Sequence, residues 1–217
     1  NTGGSGRTIV VAVGGAPLVG ETRRWAEARC RFAAGLTVLS AGMPMFFMGE
    51  EVGAQKPYRY DDFIRHKEDI AGERSGAGRN LFAFYRDLIR LRGREPALSS
   101  RDIDVLHVHD QNRVIAFRRW HGQGRDILVI ASLNDIRFDH GYTVGDERLP
   151  NGRWVEIFNS DSARYGGWGF GNGATVLASV NRALTAFLPA NGFIVLGRVD
   201  ASAPAETSVR DPGTRVG

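Results

Sequence analysis

The stretch Gly42-Met43-Pro44-Met45-Phe46-Phe47-Met48-Gly49-Glu50-Glu51 decides how the chain is read. An apolar run of strand length lies between two glycines and ends in paired carboxylates. Upstream, over residues 22–40, Trp25, Ala28, Phe32, Leu36 and Leu39 recur at helical spacing, with Thr22 as the expected N-cap and Gly42 as the stop. Downstream, over residues 79–93, Leu81, Phe84, Tyr85, Leu88 and Leu91 repeat the pattern, and Pro96 ends it. Helix, turn, apolar strand and helix is the order around a parallel strand in an α/β sheet. Such a strand is covered on both faces and therefore reads as a continuous apolar run. Its C-terminal end is the chemical end in a barrel, which makes Glu50 and Glu51 candidate substrate contacts.

The segments around this unit are less regular. Residues 1–7 form a glycine-rich loop with no preceding strand and no Gly-Lys-Ser/Thr, so they are not a phosphate loop. Residues 8–13 read as a short strand broken by Gly14, Gly15 and Pro17. Residues 49–78 are polar, with a short helix expected near 61–66. A connection of that length is usually functional. At 96–100 the helical period gives way to strand alternation. Candidate strands are 103–109, 113–120, 127–133, 138–144, 154–158, 175–179, 184–188 and 193–199, with turn signals such as Asn134-Asp135 and Asn191-Gly192 between them. Short strands at this spacing predict an antiparallel sandwich. The tail after Asp200 has no periodicity and reads as weakly ordered.

The chain has 217 residues, 42% hydrophobic and 24% charged, which is the composition of a globular protein. Its net charge of +4 is spread along the chain and is nearly all arginine, since lysine occurs only at Lys56 and Lys67. That dispersal argues against a nucleic-acid partner, which calls for clustered basic residues with aromatics. No apolar run reaches the roughly 20 residues of a membrane span, so no membrane partner is expected. The single cysteine, Cys30, forms no internal disulfide and reads as a small buried hydrophobe, in keeping with a cytoplasmic location.

Two helices and one or two strands cannot cover both faces of an apolar parallel strand, so the first part reads as the end of something larger. Here a resemblance enters. Gly42, Pro44, Gly49 and Glu51 match a Gly-x-Pro-x-x-x-x-Gly-x-Glu pattern of the last barrel strand in the α-amylase clan. Leu88-Ile89-Arg90-Leu91-Arg92 followed by Glu95-Pro96-Ala97-Leu98 is similar to that clan's final barrel helix. Phe158-Asn159-Ser160-Asp161, Tyr165-Gly166-Gly167 and Gly171-Asn172-Gly173 resemble the C-terminal domain of branching enzymes and the related trehalohydrolases. The resemblance implies an α+β chain. Residues 1–98 would be the closing edge of a (β/α)8 barrel, 99–200 an antiparallel β-sandwich, and 201–217 a tail.

It also implies a parent that acts on α-glucan, in first place a 1,4-α-glucan branching enzyme that cleaves an α-1,4 bond with retention and transfers the chain to a 6-hydroxyl. The alternatives are an α-amylase or maltooligosyl-trehalose trehalohydrolase, or a stand-alone carbohydrate-binding module. The clan's catalytic aspartates and glutamate lie on earlier strands, and none of their motifs occurs here. No catalytic residue, metal or cofactor is therefore assigned. Candidate substrate contacts are Glu50 and Glu51 at the strand exit, Tyr58 and Tyr60 on the following loop beside Asp61 and Asp62, and Trp168 in a glycine-rich run. His66 with Glu68 and Asp69, and His107 with His109 on one strand face, do not form a recognised metal-ligand spacing.

Overall fold

A computed structural model describes residues 6–57, 59, 63–122 and 124–199. The C-terminal part contains β1 (Ile103–His109), β2 (Val114–Arg119), β3 (Ile127–Ser132), β4 (Phe138–Gly145), β5 (Gly152–Asn159), β6 (Val176–Ser179), β7 (Ala183–Leu188) and β8 (Gly192–Val199). The predicted strands are therefore present. Six form one sheet in the order β1-β2-β3-β8-β5-β6, and β4 and β7 form a two-stranded ribbon. Every pairing is antiparallel. β8 sits between β3 and β5 at the sheet's centre, and β3 and β8 are apolar along nearly their whole length.

The reason is that both faces of the large sheet are covered. One face puts Leu106, Ala116, Leu128, Ile130, Ile194 and Leu196 against Tyr142, Val144, Leu184 and Leu188 of the ribbon. The other puts Phe117, Ile127, Val129, Phe193 and Val195 against two long helices. Successive strand residues point to opposite faces, so a doubly covered strand loses its polar alternation.

The helices are α2 (Gly20–Leu39) and α5 (Arg79–Arg94), with shorter α1 (Thr8–Val11), α3 (Phe63–His66), α4 (Ile70–Ser75) and α6 (Pro96–Ser99) around them. Ala26, Cys30, Phe32, Val38 and Leu39 of α2 meet Leu81, Phe84, Leu88 and Leu91 of α5 in the same core as the sheet. Close approach is possible because Gly35 lies where α2 crosses β8. A Cβ there would sit 2.0 Å from Phe193 Cε1. The C-terminal end of α2 is fastened by two arginines. Arg92 donates to the carbonyls of Val38, Ser40 (3.1 Å) and Gly42 (2.6 Å), and Arg119 to those of Leu39, Asp102 (2.9 Å), Leu98 (3.2 Å) and Ser100 (2.6 Å). Cations there complement the negative end of the helix and satisfy carbonyls that have no intrahelical partner.

Three expectations are corrected. Residues 43–47 have no regular secondary structure and Met48 lies in a turn, and the stretch pairs with no strand among the described residues. Met43 and Met45 are 96% and 85% exposed. A strand needs at least one neighbour to bond its backbone, and the described residues supply none beside this stretch. Residues 8–11 form the helical turn α1, and 12–13 a turn, rather than a strand; among the described residues they pair with no strand, and Ile9 packs into the core. Finally, α2 begins at Gly20 after Val19 with no side-chain cap, so Thr22 lies inside the helix.

Candidate functional site

Glu50 and Glu51 follow the apolar stretch in a single 3₁₀ turn, Glu50–Val52, entered through Gly49 at φ 93°. Both carboxylates fold back on that turn. Glu51 accepts from Gly49 N (2.9 Å), while Glu50 accepts from Phe47 N (3.2 Å) and from the Thr8 hydroxyl (2.8 Å). Arg7 completes the knot by donating to the carbonyls of Met48 (2.8 Å) and Lys56 (2.7 Å). The turn is thus held by side chains from a segment about forty residues away.

Glu50 also borders an open cleft of about 690 Å³ between α1, α2 and the sheet's β3–β4 connection. Phe32, Ala33, Leu36 and Phe47 form its apolar side, and Arg29, Arg113 and Asp135 its polar side. Asp135 accepts from Arg29 (3.0 Å) and Asn191 (2.7 Å), and these hydrogen bonds hold its carboxyl below the usual range. Asp135 therefore stays ionised at neutral pH and is unsuited to general-acid work.

Trp168 lies in the glycine-rich run. Its ring packs on Trp25 (centroids 4.5 Å apart) and under the guanidinium of Arg24 (4.4 Å). It is half-buried. The loop around it is held by Asp161 from within and by Arg24 from α2. Asp161 accepts from Trp168 N (3.0 Å) and Phe170 N (3.1 Å), and Arg24 donates to the carbonyls of Gly166 (3.1 Å) and Gly167 (2.8 Å). Burial nevertheless pushes the Asp161 carboxyl above its ordinary value. Asn159 donates to Glu156 (3.1 Å) and Phe170 O (2.9 Å), the Ser160 hydroxyl accepts from Phe193 N (2.7 Å), and Asn172 bridges Glu156 to β7. The motif residues of this region are the framework that fixes the loop on β5, β7 and β8.

Tyr58, Tyr60, Asp61 and Asp62 lie outside the described residues. Glu68 and Asp69, once weighed as metal ligands, have structural partners. Glu68 accepts from Gln55 N and Lys56 N (2.7 Å each), and Asp69 caps α4 through Gly72 N (2.9 Å). His107 and His109 share a face as expected, with ring centroids 6.1 Å apart, and His107 Nε2 meets the Tyr142 hydroxyl at 2.8 Å. Trp154 is fully buried in the core, whereas Trp120 is half-exposed and stacks with Arg118 (4.7 Å).

Sequence reasoning missed the buried arginines. Arg31 is 1% exposed and donates to Tyr165 O (2.9 Å), and Arg119 is fully buried. The signal for Arg119 was present: it lies two residues from Phe117, so both share the helix-facing side of β2.

The antiparallel sheet and its two-stranded ribbon make residues 103–199 an all-β unit, with the two long helices packed on it from the preceding part of the chain. Residues 105–199 match the family described as the alpha amylase C-terminal all-beta domain. The relatives are more particular. The chain is 31% identical over 161 residues to the 1,4-alpha-glucan branching enzyme GlgB of Paraburkholderia xenovorans, covering 70% of this chain and 21% of that protein. It is 32% identical over 184 residues to GlgB 1 of Xanthomonas euvesicatoria, covering 78% and 24%. Among solved structures, the alpha-amylase from H. orenii has a TM-score of 0.57 at 22% identity, covering 82% of this chain and 36% of that one. AmyP in complex with maltotriose has a TM-score of 0.59 at 16% identity, covering 80% and 35%. The chain is an α-amylase-clan C-terminal part, and it is branching-enzyme-like. It spans about a fifth to a quarter of the length of these curated relatives.

Proposed function

We propose that the chain is the C-terminal part of a 1,4-α-glucan branching enzyme, with residues 1–98 forming the closing edge of its barrel and 99–200 the sandwich that braces it. The observation that carries this reading is the apolar stretch 43–48. Among the described residues it pairs with no strand and its methionines are exposed, yet the helices on either side are locked into the sheet domain. An exposed apolar segment of this length is suited to be covered by strands from elsewhere. Identity of 31–32% to branching enzymes favours that parent.

The chemistry then belongs to the upstream barrel: cleavage of an α-1,4 bond through a covalent glucosyl intermediate, and transfer to a 6-hydroxyl. This chain contributes the rim. Glu50 and Glu51 shape the exit turn of the last strand, Tyr58 and Tyr60 follow them in sequence, and the half-buried Trp168 contributes a stacking surface to α-glucan. The parent is placed in the cytoplasm on the same reading.

The test compares this chain with its full upstream reading frame on amylose, recording reducing ends and the iodine spectrum. The expected result is activity in the long form alone, with iodine colour falling and no lasting rise in reducing ends. A matching rise would move the parent to hydrolysis. Turnover by the 217-residue chain itself would overturn the fragment reading.

A further inference from the structure

A second pocket, of about 500 Å³, opens where the N-terminal ends of α2 and α5 meet the glycine-rich loop. Its walls carry Arg23, Arg24, Arg79, Asn80 and Gly166, with Glu27 the one carboxylate among its lining residues. That carboxylate is already tied to Arg23 Nε at 2.9 Å. The guanidinium of Arg24 is fixed by two loop carbonyls and by Trp168, with Glu21 3.7 Å away at the pocket's outer side. Arg79 is exposed, and its side chain makes no hydrogen bond or ion pair among the described residues. Arg23 Nη2 is shut from water with no acceptor among the described residues. One helical turn beyond Glu27, the buried Arg31 adds a further positive charge, and its Nε and Nη2 are likewise without partners among those residues.

Three guanidinium groups against two carboxylates, Glu27 on Arg23 and Glu21 on Arg24, leave this pocket with a net positive charge centred on Arg79. The two long helices that border it both begin there without a side-chain cap, so their positive ends add to the field. Arginine matches tetrahedral oxyanions in charge and in donor geometry. We propose that this pocket binds a phosphate group, with Arg79 as the principal ligand and Arg23 turning its unpartnered Nη2 inward to complete the site. The walls are preformed, because Arg24 and the loop at Gly166 are already locked, so binding requires little ordering beyond the Arg23 and Arg79 side chains. This inference does not depend on the branching-enzyme reading, since the pocket lies wholly within this chain.

The experiment is a titration of the full chain with inorganic phosphate and, separately, with glucose 1-phosphate, followed by calorimetry and by the backbone amide signals of Asn80 and Gly166. Saturable binding that moves those amides, weakens with added salt and is not displaced by neutral maltotriose is the expected result. R79Q, at an exposed position that folding does not depend on, should weaken binding by about ten- to hundredfold, the range for losing one hydrogen bond to a charged group. R153Q removes an equal charge on β5, outside the pocket, and should change affinity less than about twofold. Tighter binding of glucose 1-phosphate identifies a sugar phosphate as the ligand class, while equal binding identifies the phosphate group alone. Absence of saturable binding, equal loss in R79Q and R153Q, or displacement by maltotriose would overturn the proposal.

Discussion

Replacing Gly35 by alanine tests the packing on which the helix–sheet core depends. Glycine inside a helix is usually a weakness, and alanine there gains about 0.5–1 kcal/mol. At Gly35 the new Cβ would lie 2.0, 2.5 and 2.6 Å from three atoms of the Phe193 ring. Phe193 cannot swing away. It is fully buried, stacks on Phe158 at 6.0 Å and meets Phe84 edge-on at 6.1 Å. Forcing extra volume into a filled core costs about 1–3 kcal/mol, and an overlap of this depth belongs at the upper end. The clash exceeds the helix gain, so G35A should lose about 2 kcal/mol. In urea, with a slope of about 1–3 kcal/mol/M, the midpoint should fall by about 1 M. Gly93 provides the internal contrast: it lies near the end of α5, and a Cβ there meets nothing within 4 Å. G93A should therefore be neutral or slightly stabilising. A G35A midpoint equal to or above the parent's would refute the close approach of α2 to β8.

Truncating Arg92 should cost about 2 kcal/mol, because it leaves the last carbonyls of α2 without their charged donor. R92K should recover only part of that, since one ammonium cannot span carbonyls from three residues, and urea unfolding of both variants checks the order. Glu95 is 5% exposed; burial pushes its carboxyl up, but the hydrogen bonds and charge of Arg125 at 2.7 and 3.0 Å, with Arg94 behind, hold it below 4.5. A depressed folded-state value means stability that is present above the unfolded value and lost as pH falls through the folded one. E95Q should thus be about 1–3 kcal/mol less stable at pH 7, with the gap closing as the pH falls through the depressed folded-state value, and a pH-independent gap would show that the ion pair is not its source. Burial, aided by Glu27, pushes the Cys30 thiol up to about 12. It should resist a thiol reagent in the native chain and react fully in denaturant, and rapid native labelling would contradict its burial.

The alternation of the sheet was legible because each strand satisfies its own local pattern. The two long helices were legible for the same reason: their stripes at Phe32, Leu36 and Leu39, and at Leu81, Phe84, Leu88 and Leu91, are contiguous and apolar. The stretch 43–48 reads as a strand by pattern but lies unpaired, since pairing is a property of neighbours rather than of the segment. Ile9, Val10 and Val11 misled in the opposite direction, because β-branched residues next to a helix surface pack well as a single helical turn. Of the candidate site, the pattern at Glu50 and Glu51 pointed to a strand exit, whereas the backbone partners that occupy both carboxylates depend on Arg7 and Thr8, which no local pattern connects to them. Helix α4 was missed for want of length, although Asp69 carries a legible N-cap signal for Gly72.

Arginine explains why the sheet domain and the helices behave as one unit. Arg92 and Arg119 hold the C-terminal end of α2, Arg31 reaches Tyr165, Arg24 clasps Gly166 and Gly167, and Arg29 joins Ala12 to Asp135. Most of these bonds run to main-chain carbonyls separated by tens of residues. A carbonyl acceptor fixes the position of a backbone whatever its side chain, and a guanidinium can serve several at once. Lysine, with a compact charge and a flexible stem, would not provide that span, which accounts physically for a basic chain with two lysines. The arrangement also bears on the exposed stretch 43–48. Arg92 donates to the Gly42 carbonyl at its start and Arg7 to the Met48 carbonyl at its end, so both ends of the segment are fixed to the helical part. Fixing the ends of a segment removes conformational entropy that any later ordering of it would otherwise have to overcome, at about 1–2 kcal/mol per residue.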